Sequence, residues 1–334
     1  MIIQGSRSRS FFYVLAVLAM LGEAYALDPA KAITQYGHQN WQIDDGLPQN
    51  AVTAILATSD GYLWIGTQGG LARFDGLRFT TFDRGNTEEF KDNFISCLAE
   101  DMQGRLWIGT RGGLLQYHEG RFTAFSIAQG LPIDYIRALH VDQNDRLWIG
   151  TYGGGLSYLH EDQFHTFNTE HGLSHNLVRT IHEGQDGRLW VGTAEGLNCF
   201  EHNEFTAYTL SDSPAANSVR ALYEDRRGVL WIGTNGGGLY RMEEGRFENL
   251  ARCEELSNDV IGSILEDRDH NLWVGTGDGL KRIGQSGVVS TLRSGSSLSH
   301  NLVGPLFEDS EGNLWVGTRM GLDVLRDGKF TMYT

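Results

Sequence analysis

One short motif constrains this chain more than any other feature: Leu-Trp-Ile-Gly-Thr, or its valine variant Leu-Trp-Val-Gly-Thr, occurs seven times. Successive tryptophans are 41 to 43 residues apart, so the sequence holds seven copies of one unit in register. A repeat of fixed period overrides the two or so domains that 334 residues would suggest by length alone. The tryptophans are Trp64, Trp107, Trp148, Trp190, Trp231, Trp273 and Trp315.

Each unit contains four short segments with strand character. In the first copy they are Val52–Ala57, Tyr62–Thr67, Leu71–Phe74 and Arg78–Phe82, which are rich in β-branched or aromatic residues and are separated by Gly and Asp turns. Repeats of about 40 to 45 residues with four strands each are typical of propeller blades. The sequence therefore predicts an all-β fold: a seven-bladed β-propeller of four-stranded blades over residues 27–334.

Three further positions recur with the tryptophan. A Gly-Leu pair opens each third strand, and its leucine is expected in the core between blades. Asp lies six residues before Trp in five copies, where it suits an Asx turn in the hairpin before the Trp strand. Asn or Asp lies fourteen residues before every Trp and is expected to fix the chain ahead of the first strand. These last residues are Asn50, Asn93, Asp134, Asn176, Asn217, Asp259 and Asn301.

The ring must also close. Tyr36–Leu47 resembles the last strand and connector of a repeat, with Trp41 five residues before Gly46. We therefore expect an N-terminal strand to serve as the fourth strand of the last blade, which removes an open edge. Lys329–Thr334 resembles an eighth such strand. It either competes with the N-terminal strand or leads into further chain beyond Thr334, and we favour the second interpretation.

The N-terminus resembles an export signal. Arg7 and Arg9 precede the apolar run Phe11–Gly22, and Ala24 and Ala26 form a small-residue cleavage site. Residues 1–26 are thus predicted to be a signal peptide, cleaved after Ala26, which delivers the protein to the periplasm. The alternative, an uncleaved membrane anchor, would need a longer apolar run.

Charge and cysteine content exclude several classes of protein. The formal net charge is −15 and no block of Lys or Arg occurs, so nucleic acid and anionic membranes are poor partners. The cysteines are Cys97, Cys199 and Cys253, an odd number at wide spacing, which favours neither a disulfide framework nor a metal-binding CxxC motif. Cys97 and Cys199 fall within strand patterns and are expected to be small buried residues.

The unit GLPQNAVTAILATSDGYLWIGTQGGLARFDGLRFTTF, residues 46–82, resembles the two-component regulator propeller family. The resemblance covers about residues 35 to 334 and rests on seven matches in register. It implies the exported sensory region of a membrane-bound signalling protein. In this family a second ring, a small β-sandwich, a transmembrane helix and a histidine kinase or diguanylate cyclase often follow. None of those parts is recognisable here, so we expect a sensor without its own output domain in this sequence.

Two sets of loops are expected on one face of the ring: the connectors between repeats and the loops after each Trp strand. The second set changes in every blade, which is typical of a ligand-binding rim on a rigid scaffold. Two arginines and a tyrosine within it are candidate anchors for a small molecule or a glycan. The alternative is that exposed turns vary freely. The candidate rim residues are Gln68, Arg111, Tyr152, Glu195, Asn235, Asp278 and Arg319.

Histidines and glycine-rich loops suggest other chemistry, but each has a simpler explanation. His140 and His182 occupy equivalent positions in adjacent blades, where packing explains them better than a metal, which needs three or four converging ligands. His175 and His300 are expected in turns. Gly153–Gly155 and Gly236–Gly238 lack the helix and lysine of a phosphate cradle and predict wider hairpin loops. No metal or cofactor is predicted.

Acid–base catalysis has little support in the sequence. The acidic pairs Glu88-Glu89 and Glu254-Glu255 lie in connectors as solvated clusters, and no nucleophile motif is present. We therefore predict a binding protein rather than an enzyme. Two alternatives remain open: a propeller enzyme of the lyase or hydrolase type, and a protein-interaction platform that forms a homodimer or binds a membrane-bound signalling partner.

Overall fold

A computed structural model of the chain describes residues 27–28, 31–161, 163–243, 245–250, 256 and 260–327. Within these residues the chain forms seven four-stranded antiparallel sheets, each a blade, numbered here 1 to 7 by their first strands. The prediction of a seven-bladed β-propeller is confirmed. The predicted signal peptide, Lys329–Thr334, Cys253, Asp259 and the pair Glu254-Glu255 lie outside the described residues.

Every blade uses its four strands in the same order, with neighbours paired antiparallel. The first strands are Val52–Ala57, Ile95–Glu100, Ile136–Val141, Val178–Glu183, Val219–Glu224, Ile261–Glu266 and Val303–Glu308. The second strands are Leu63–Thr67, Leu106–Thr110, Leu147–Thr151, Leu189–Thr193, Leu230–Thr234, Leu272–Thr276 and Leu314–Thr318. The third strands are Leu71–Phe74, Gly113–His118, Leu156–His160, Leu197–Glu201, Leu239–Glu243, Gly279–Ile283 and Leu322–Arg326. The fourth strands are Phe79–Phe82, Arg121–Phe125, Gln163–Phe167, Glu204–Tyr208, Arg246–Asn249, Val289–Leu292 and, for blade 7, Gly37–Trp41.

Short helical turns interrupt the connectors. Among the described residues, four are 3₁₀ turns, and Pro214–Asn217 is a single α-helical turn. The sequence showed no helical period in this region, and one turn that begins with proline is too short to produce one. No helix in the described part of the chain is long and apolar enough to cross a membrane. The 3₁₀ turns are Ile33–Gln35, Ile43–Asp45, Ile127–Gln129 and Thr169–His171.

The ring closes through the N-terminal strand, as predicted. First strands of neighbouring blades contact each other around the whole ring, including those of blades 7 and 1. Gly37–Trp41 pairs antiparallel with Leu322–Arg326 of blade 7. Trp41 stacks on Trp315 at 5.2 Å between ring centroids and meets Phe74 of blade 1 edge-on at 5.8 Å. The outer edge of blade 7 is thereby covered.

The chain just before this strand makes a second attachment, to blade 6. Ile33 and Tyr36 are buried against Trp273 and its neighbours. The Tyr36 hydroxyl donates to the Asp28 carbonyl at 2.8 Å and accepts a hydrogen bond from Arg282. Burial raises the pKa of Tyr36 to about 12. The N-terminal segment therefore ties blades 6 and 7 together.

The repeated tryptophans and leucines form the cores between blades. None of the seven tryptophans of the repeat is more than 7% exposed, and the seven Gly-Leu leucines are fully buried. Burying an apolar side chain of this size contributes roughly 1.5–3 kcal/mol. The Trp strand is thus a packing element, and the prediction of an inter-blade position for the leucines is confirmed.

The recurring polar residues hold turns. Asn50 accepts the amide of Ile43, at 2.8 Å, and Asp134 accepts that of Ile127, at 2.9 Å, so each fixes its connector seven residues upstream. The predicted Asx turn is present as well: Asp142 accepts the backbone amide of Asn144 at 2.9 Å.

One face of the ring is held together by carboxylates. Glu183, which ends the first strand of blade 4, accepts the amide of Gln143 in the blade 3 hairpin at 2.8 Å. In blade 3 the first strand ends in Val141, which has no carboxylate. Asp145 of the blade 3 hairpin instead accepts the Met102 amide of blade 2 at 2.9 Å. These bonds cross from one blade to the next, so this face has a structural role. The same contact is made by Glu100, Glu224, Glu266 and Glu308.

Candidate ligand-binding face

The opposite face carries both predicted loop sets, and we call it the rim face. Val52 pairs with Thr67, so the start of the first strand and the end of the second lie side by side. The Gln68 amide then donates to the Ala51 carbonyl at 3.2 Å. Connectors and post-Trp loops therefore form one surface around the mouth of the central channel.

Several of the predicted rim residues pair with a first strand or a connector nearby. Asn235 accepts a hydrogen bond from Arg220 at 3.0 Å. Asp278 forms an ion pair with Arg293 at 2.7 Å, and Glu195 lies 4.0 Å from His175.

Gln68 and Arg319 contact the preceding connector through backbone hydrogen bonds, in which their amides donate to the carbonyls of Ala51 and Leu302. Arg319 is an exposed residue of blade 7, whereas Arg111 belongs to blade 2. The structure thus does not gather all seven predicted residues into one site.

Two of the predicted residues do meet, through aromatic rings that the sequence analysis missed. The Arg111 guanidinium lies 3.8 Å from the centroid of Phe94, and its Nε donates to the Tyr135 hydroxyl at 3.3 Å. Tyr135 in turn stacks on Tyr152 at 4.8 Å with 10° between the rings. Phe94, Arg111, Tyr135 and Tyr152 thus form a continuous row, which we call the aromatic row. Tyr152, at its end, is 49% exposed, so its ring is accessible. Phe94 and Tyr135 each directly precede a first strand, and that shared position was their sequence signal.

A cavity of about 470 Å³ opens beside Arg111. Lys91, Gln129 and Asp134 also line it, between blades 2 and 3. This volume lies within the range of small-molecule sites, and the lining combines polar groups with the apolar ring of Phe125.

Three arginines occupy the same register position in consecutive blades at the channel mouth. Every first strand has an irregularity in its pairing directly after its first residue; in blade 3 it falls between Ile136 and Ala138. A residue at such a bulge leaves the ladder, and its side chain is re-aimed. In blades 3, 4 and 5 this residue is Arg137, Arg179 or Arg220, which we call the arginine triad.

The positive charges of the triad affect one another. Burial lowers the pKa of Arg220, and the charges of Arg179 and Arg137 lower it further. Burial and the charge of Arg137 lower the pKa of Arg179, while Tyr152 acts in the opposite direction. The first strands of blades 3, 4 and 5 lie next to one another around the channel, so their three bulge residues are neighbours at its mouth. Tyr152 forms a β-bridge with Leu177, two residues before Arg179, and this bridge places the aromatic row beside the triad.

The histidines of adjacent first strands are packing residues, as predicted. The rings of His140 and His182 lie 6.5 Å apart, and His182 also lies 6.4 Å from Tyr223. Burial, together with His140, lowers the pKa of His182 to about 4. His140 lies 3.8 Å from Glu183. Within the described residues, no group of three or more His, Cys, Asp or Glu side chains could hold a metal ion.

The remaining sequence candidates are structural. His175 and His300 accept the backbone amides of Leu177 and Leu302 at 2.9 and 2.8 Å, so both are turn residues. The extra glycine of Gly153–Gly155 gives the wider hairpin loop that was predicted.

Burial governs the two described cysteines. It raises the pKa of the Cys97 thiol to about 12 and raises that of Cys199 as well, so both stay protonated at neutral pH. Cys199 is buried, as predicted, and Cys97 is partly buried.

Fold and rim face together define a repeat-built β-propeller in which one face carries both the connectors and the loops that follow the Trp strands. The sequence matches the family model described as two component regulator propeller at seven places, which together span half of the chain. The chain therefore belongs to the two component regulator propeller family. The matched residues are 46–69, 89–112, 130–153, 172–195, 213–236, 255–278 and 297–320.

Similar solved structures include extracellular domains of signalling proteins. That of the hybrid two component system BT3049 from B. thetaiotaomicron is 27% identical, with a TM-score of 0.77 over 88% of this chain and 42% of that chain. That of the one component system BT4673 from the same organism is 26% identical, with a TM-score of 0.75 over 87% of this chain and 40% of that one. The chain thus spans about two fifths of these relatives.

A virginiamycin B lyase from Staphylococcus aureus is also similar, with a TM-score of 0.71 over 87% of this chain and 99% of that chain. At 12% identity this likeness shows the fold alone. No curated protein matches the sequence.

Proposed function

We propose that this chain is the ligand-sensing propeller of a two-component-type signalling protein and binds a small molecule or glycan at the rim face. The observation that carries the proposal is the contrast between the two faces. One face is held together by the same carboxylate contact at successive blade junctions, whereas the rim loops after the Trp strands differ from blade to blade, with arginine recurring only in blades 2 and 7. The row from Arg111 through Tyr135 to Tyr152 offers ring surface with polar groups, which suits recognition of a bound molecule.

The proposal includes export to the periplasm. The predicted signal peptide and the extracellular domains among the similar structures support this location. The chain would bind and not catalyse; kinase or cyclase chemistry would lie outside residues 27–334.

A thermal-shift screen of the purified chain against metabolites and oligosaccharides tests the proposal. Any hit is then titrated against Arg111→Ala and Tyr152→Ala, each of which should weaken binding about tenfold, as expected for the loss of about 1.4 kcal/mol. Arg121→Ala is the matched control, because Arg121 is exposed at the start of a fourth strand on the opposite face. A screen without any hit, or a hit that both rim variants bind like the original chain, contradicts the proposal.

A protein-interaction platform is the second candidate, because most of the exposed large apolar side chains lie on the same face. Among the described residues, six of the nine such side chains are in its loops. Exposed apolar surface is typical of docking sites where it is contiguous. The partner would be a second copy of this chain or a membrane-bound signalling protein. Light scattering at increasing concentration tests self-association, and Met320→Ser with Leu302→Ser should abolish it. The six residues are Ile43, Ile127, Tyr152, Val260, Leu302 and Met320.

A further inference from the structure

We propose that the arginine triad at the channel mouth binds the oxyanion group (carboxylate, phosphate or sulfate) of an organic ligand whose ring or apolar body lies against Tyr152. This inference rests on the proposed sensing function and specifies the chemical class of the ligand. It concerns Arg137, Arg179 and Arg220, none of which belongs to the rim set predicted from the sequence.

The placement of the triad is a property of the fold. Bulge residues leave the strand ladder, and Ile136 and Ala138 on either side of Arg137 are both buried between blades. The bulge residue of blade 1, Thr53, donates to the Ile95 carbonyl of blade 2 at 2.6 Å, which shows that these positions lie where inner strands face each other. Three consecutive blades replace such small residues with arginine. The other bulge residues are Thr53, Ser96, Gly262 and Gly304.

The charge distribution singles this place out. The chain carries a net charge of −15, yet no bulge position holds a carboxylate. Among the described residues, no Asp or Glu forms an ion pair with the triad, and Arg179 Nε is buried without a hydrogen-bond partner. Like charges gathered in this way repel each other, and an anion between them would relieve the repulsion. Guanidinium groups match the planar, bidentate geometry of oxyanions.

Tyr152 indicates what the rest of the ligand presents. Its ring is half exposed and stacks on Tyr135, and its backbone forms a β-bridge with Leu177, two residues before Arg179. A molecule held at the triad by its oxyanion therefore extends over this ring. A bare inorganic ion would use only the triad, whereas an organic anion would use both.

Calorimetric titration of the purified chain tests this arrangement with four probes: inorganic phosphate, phenyl phosphate, galacturonate and neutral phenyl galactoside. The expected order of affinity is phenyl phosphate above inorganic phosphate, with at least one organic anion above phenyl galactoside. Arg179→Gln should weaken anion binding at least tenfold. Tyr152→Ala should weaken phenyl phosphate and leave inorganic phosphate unchanged. Affinity should also fall as salt is raised.

Arg121→Gln on the opposite face and Ser96→Ala at the bulge of blade 2 are controls that should leave anion binding unchanged. Arg179→Gln also has a readout without ligand. Because it removes one of three like charges, the melting temperature of the free chain should rise. A cooperative melting transition also shows that the variant is folded. Anion binding unaffected by Arg179→Gln overturns the inference. So does a chain that binds neutral compounds and no oxyanion, although the sensing function would stand. A chain that binds none of the four probes overturns this inference, and the thermal-shift screen then decides the sensing function independently.

Discussion

The indole Nε1 of Trp148 donates a hydrogen bond to the carboxylate of Asp142 at 2.8 Å. The same carboxylate accepts the backbone amides of Asn144 and Arg146, both at 2.9 Å. One acidic residue thus joins the hairpin turn to the buried indole of the repeat. Five blades contain this pair, and blade 1 substitutes the hydroxyl of Thr58. The other four pairs are Trp107–Asp101, Trp231–Asp225, Trp273–Asp267 and Trp315–Asp309.

Replacing Asp142 should destabilise the propeller strongly. Asp142→Ala leaves the Trp148 indole N–H and two turn amides without their acceptor, and burying unpaired donors costs about 1–3 kcal/mol. We expect the free energy of unfolding to fall by about 2–3 kcal/mol. Urea denaturation followed by tryptophan fluorescence measures this change. Asp186→Ala in blade 4 is the control, because Asp186 is half exposed and pairs with Arg188, so its loss should cost less than about 1 kcal/mol.

The Asp142 effect should depend on pH. Burial by itself raises the pKa of Asp142, but the hydrogen bonds from Trp148 and Arg146 outweigh it and leave the pKa below its ordinary value. A carboxyl with a lowered folded pKa stabilises the fold above its unfolded pKa and loses this contribution as pH falls. The difference between Asp142→Ala and the original chain should therefore shrink below about pH 4. A difference that stays constant down to pH 3 contradicts this assignment.

His182 should make the fold sensitive to mild acid. Its pKa is about 4 in the folded chain, below the ordinary 6.5, so between these values the unfolded chain binds more protons. Stability should fall by up to about 3 kcal/mol as pH drops from 6.5 to 4. His182→Leu should flatten this slope, since blades 1 and 6 carry Leu56 and Leu265 at the same position.

His160→Gln is the control for that measurement, because the His160 side chain is 57% exposed. It should retain the full slope in urea denaturation between pH 7.5 and 4.5. Equal slopes in His182→Leu and the original chain would show that burial of His182 has no part in the acid sensitivity.

Trp41 should be the main apolar contact of ring closure. Trp41→Ala removes its stacking on Trp315 and its edge contact with Phe74, a loss of about 3 kcal/mol for a large aromatic group. A loosened N-terminal strand also frees the edge of blade 7, so the variant should associate with itself. Denaturation and light scattering measure both effects. Leu77→Ala, at a residue 90% exposed, should change neither, and an equally stable, monomeric Trp41→Ala chain would refute this role.

Export predicts a defined N-terminus. If residues 1–26 are a signal peptide, the protein recovered from the periplasm of an expressing bacterium should begin at Leu27. Mass spectrometry of the purified protein measures this directly. Ala24→Arg with Ala26→Arg should block cleavage at that site. Protein that begins at Met1 and stays in the cytoplasm would remove the basis for the periplasmic location.

The sequence predicts most of the fold because the same pattern of strands and turns occurs seven times. The period of the tryptophans indicated the blades, and Trp41 before Gly46 indicated the closing strand. Contacts between distant units were not visible in this way. Arg282 binds Tyr36 across 246 residues, and Glu183 reaches Gln143 in the preceding blade. Neither pair has a local signature, since each partner is an ordinary polar residue in its own unit.

The candidate site was predicted only in part. The variable loops led to Arg111 and Tyr152, but the rings between them, and the arginine triad, were missed. Arg137, Arg179 and Arg220 lie 42 and 41 positions apart in the sequence, so a search for runs of positive charge does not find them. They become neighbours only because consecutive blades lie side by side in the ring. Alignment of the first strands places all three at one register. What one sequence does not show is that this register is a bulge facing the channel mouth.

A crystal structure of the chain with a ligand from the thermal-shift screen tests the central claim most directly. We predict density for the ligand at the rim face, with polar atoms within hydrogen-bond distance of Arg111 or the arginine triad and its body against Tyr152. Density on the opposite face, among the carboxylates that link the blades, or on the outer strands would contradict the account.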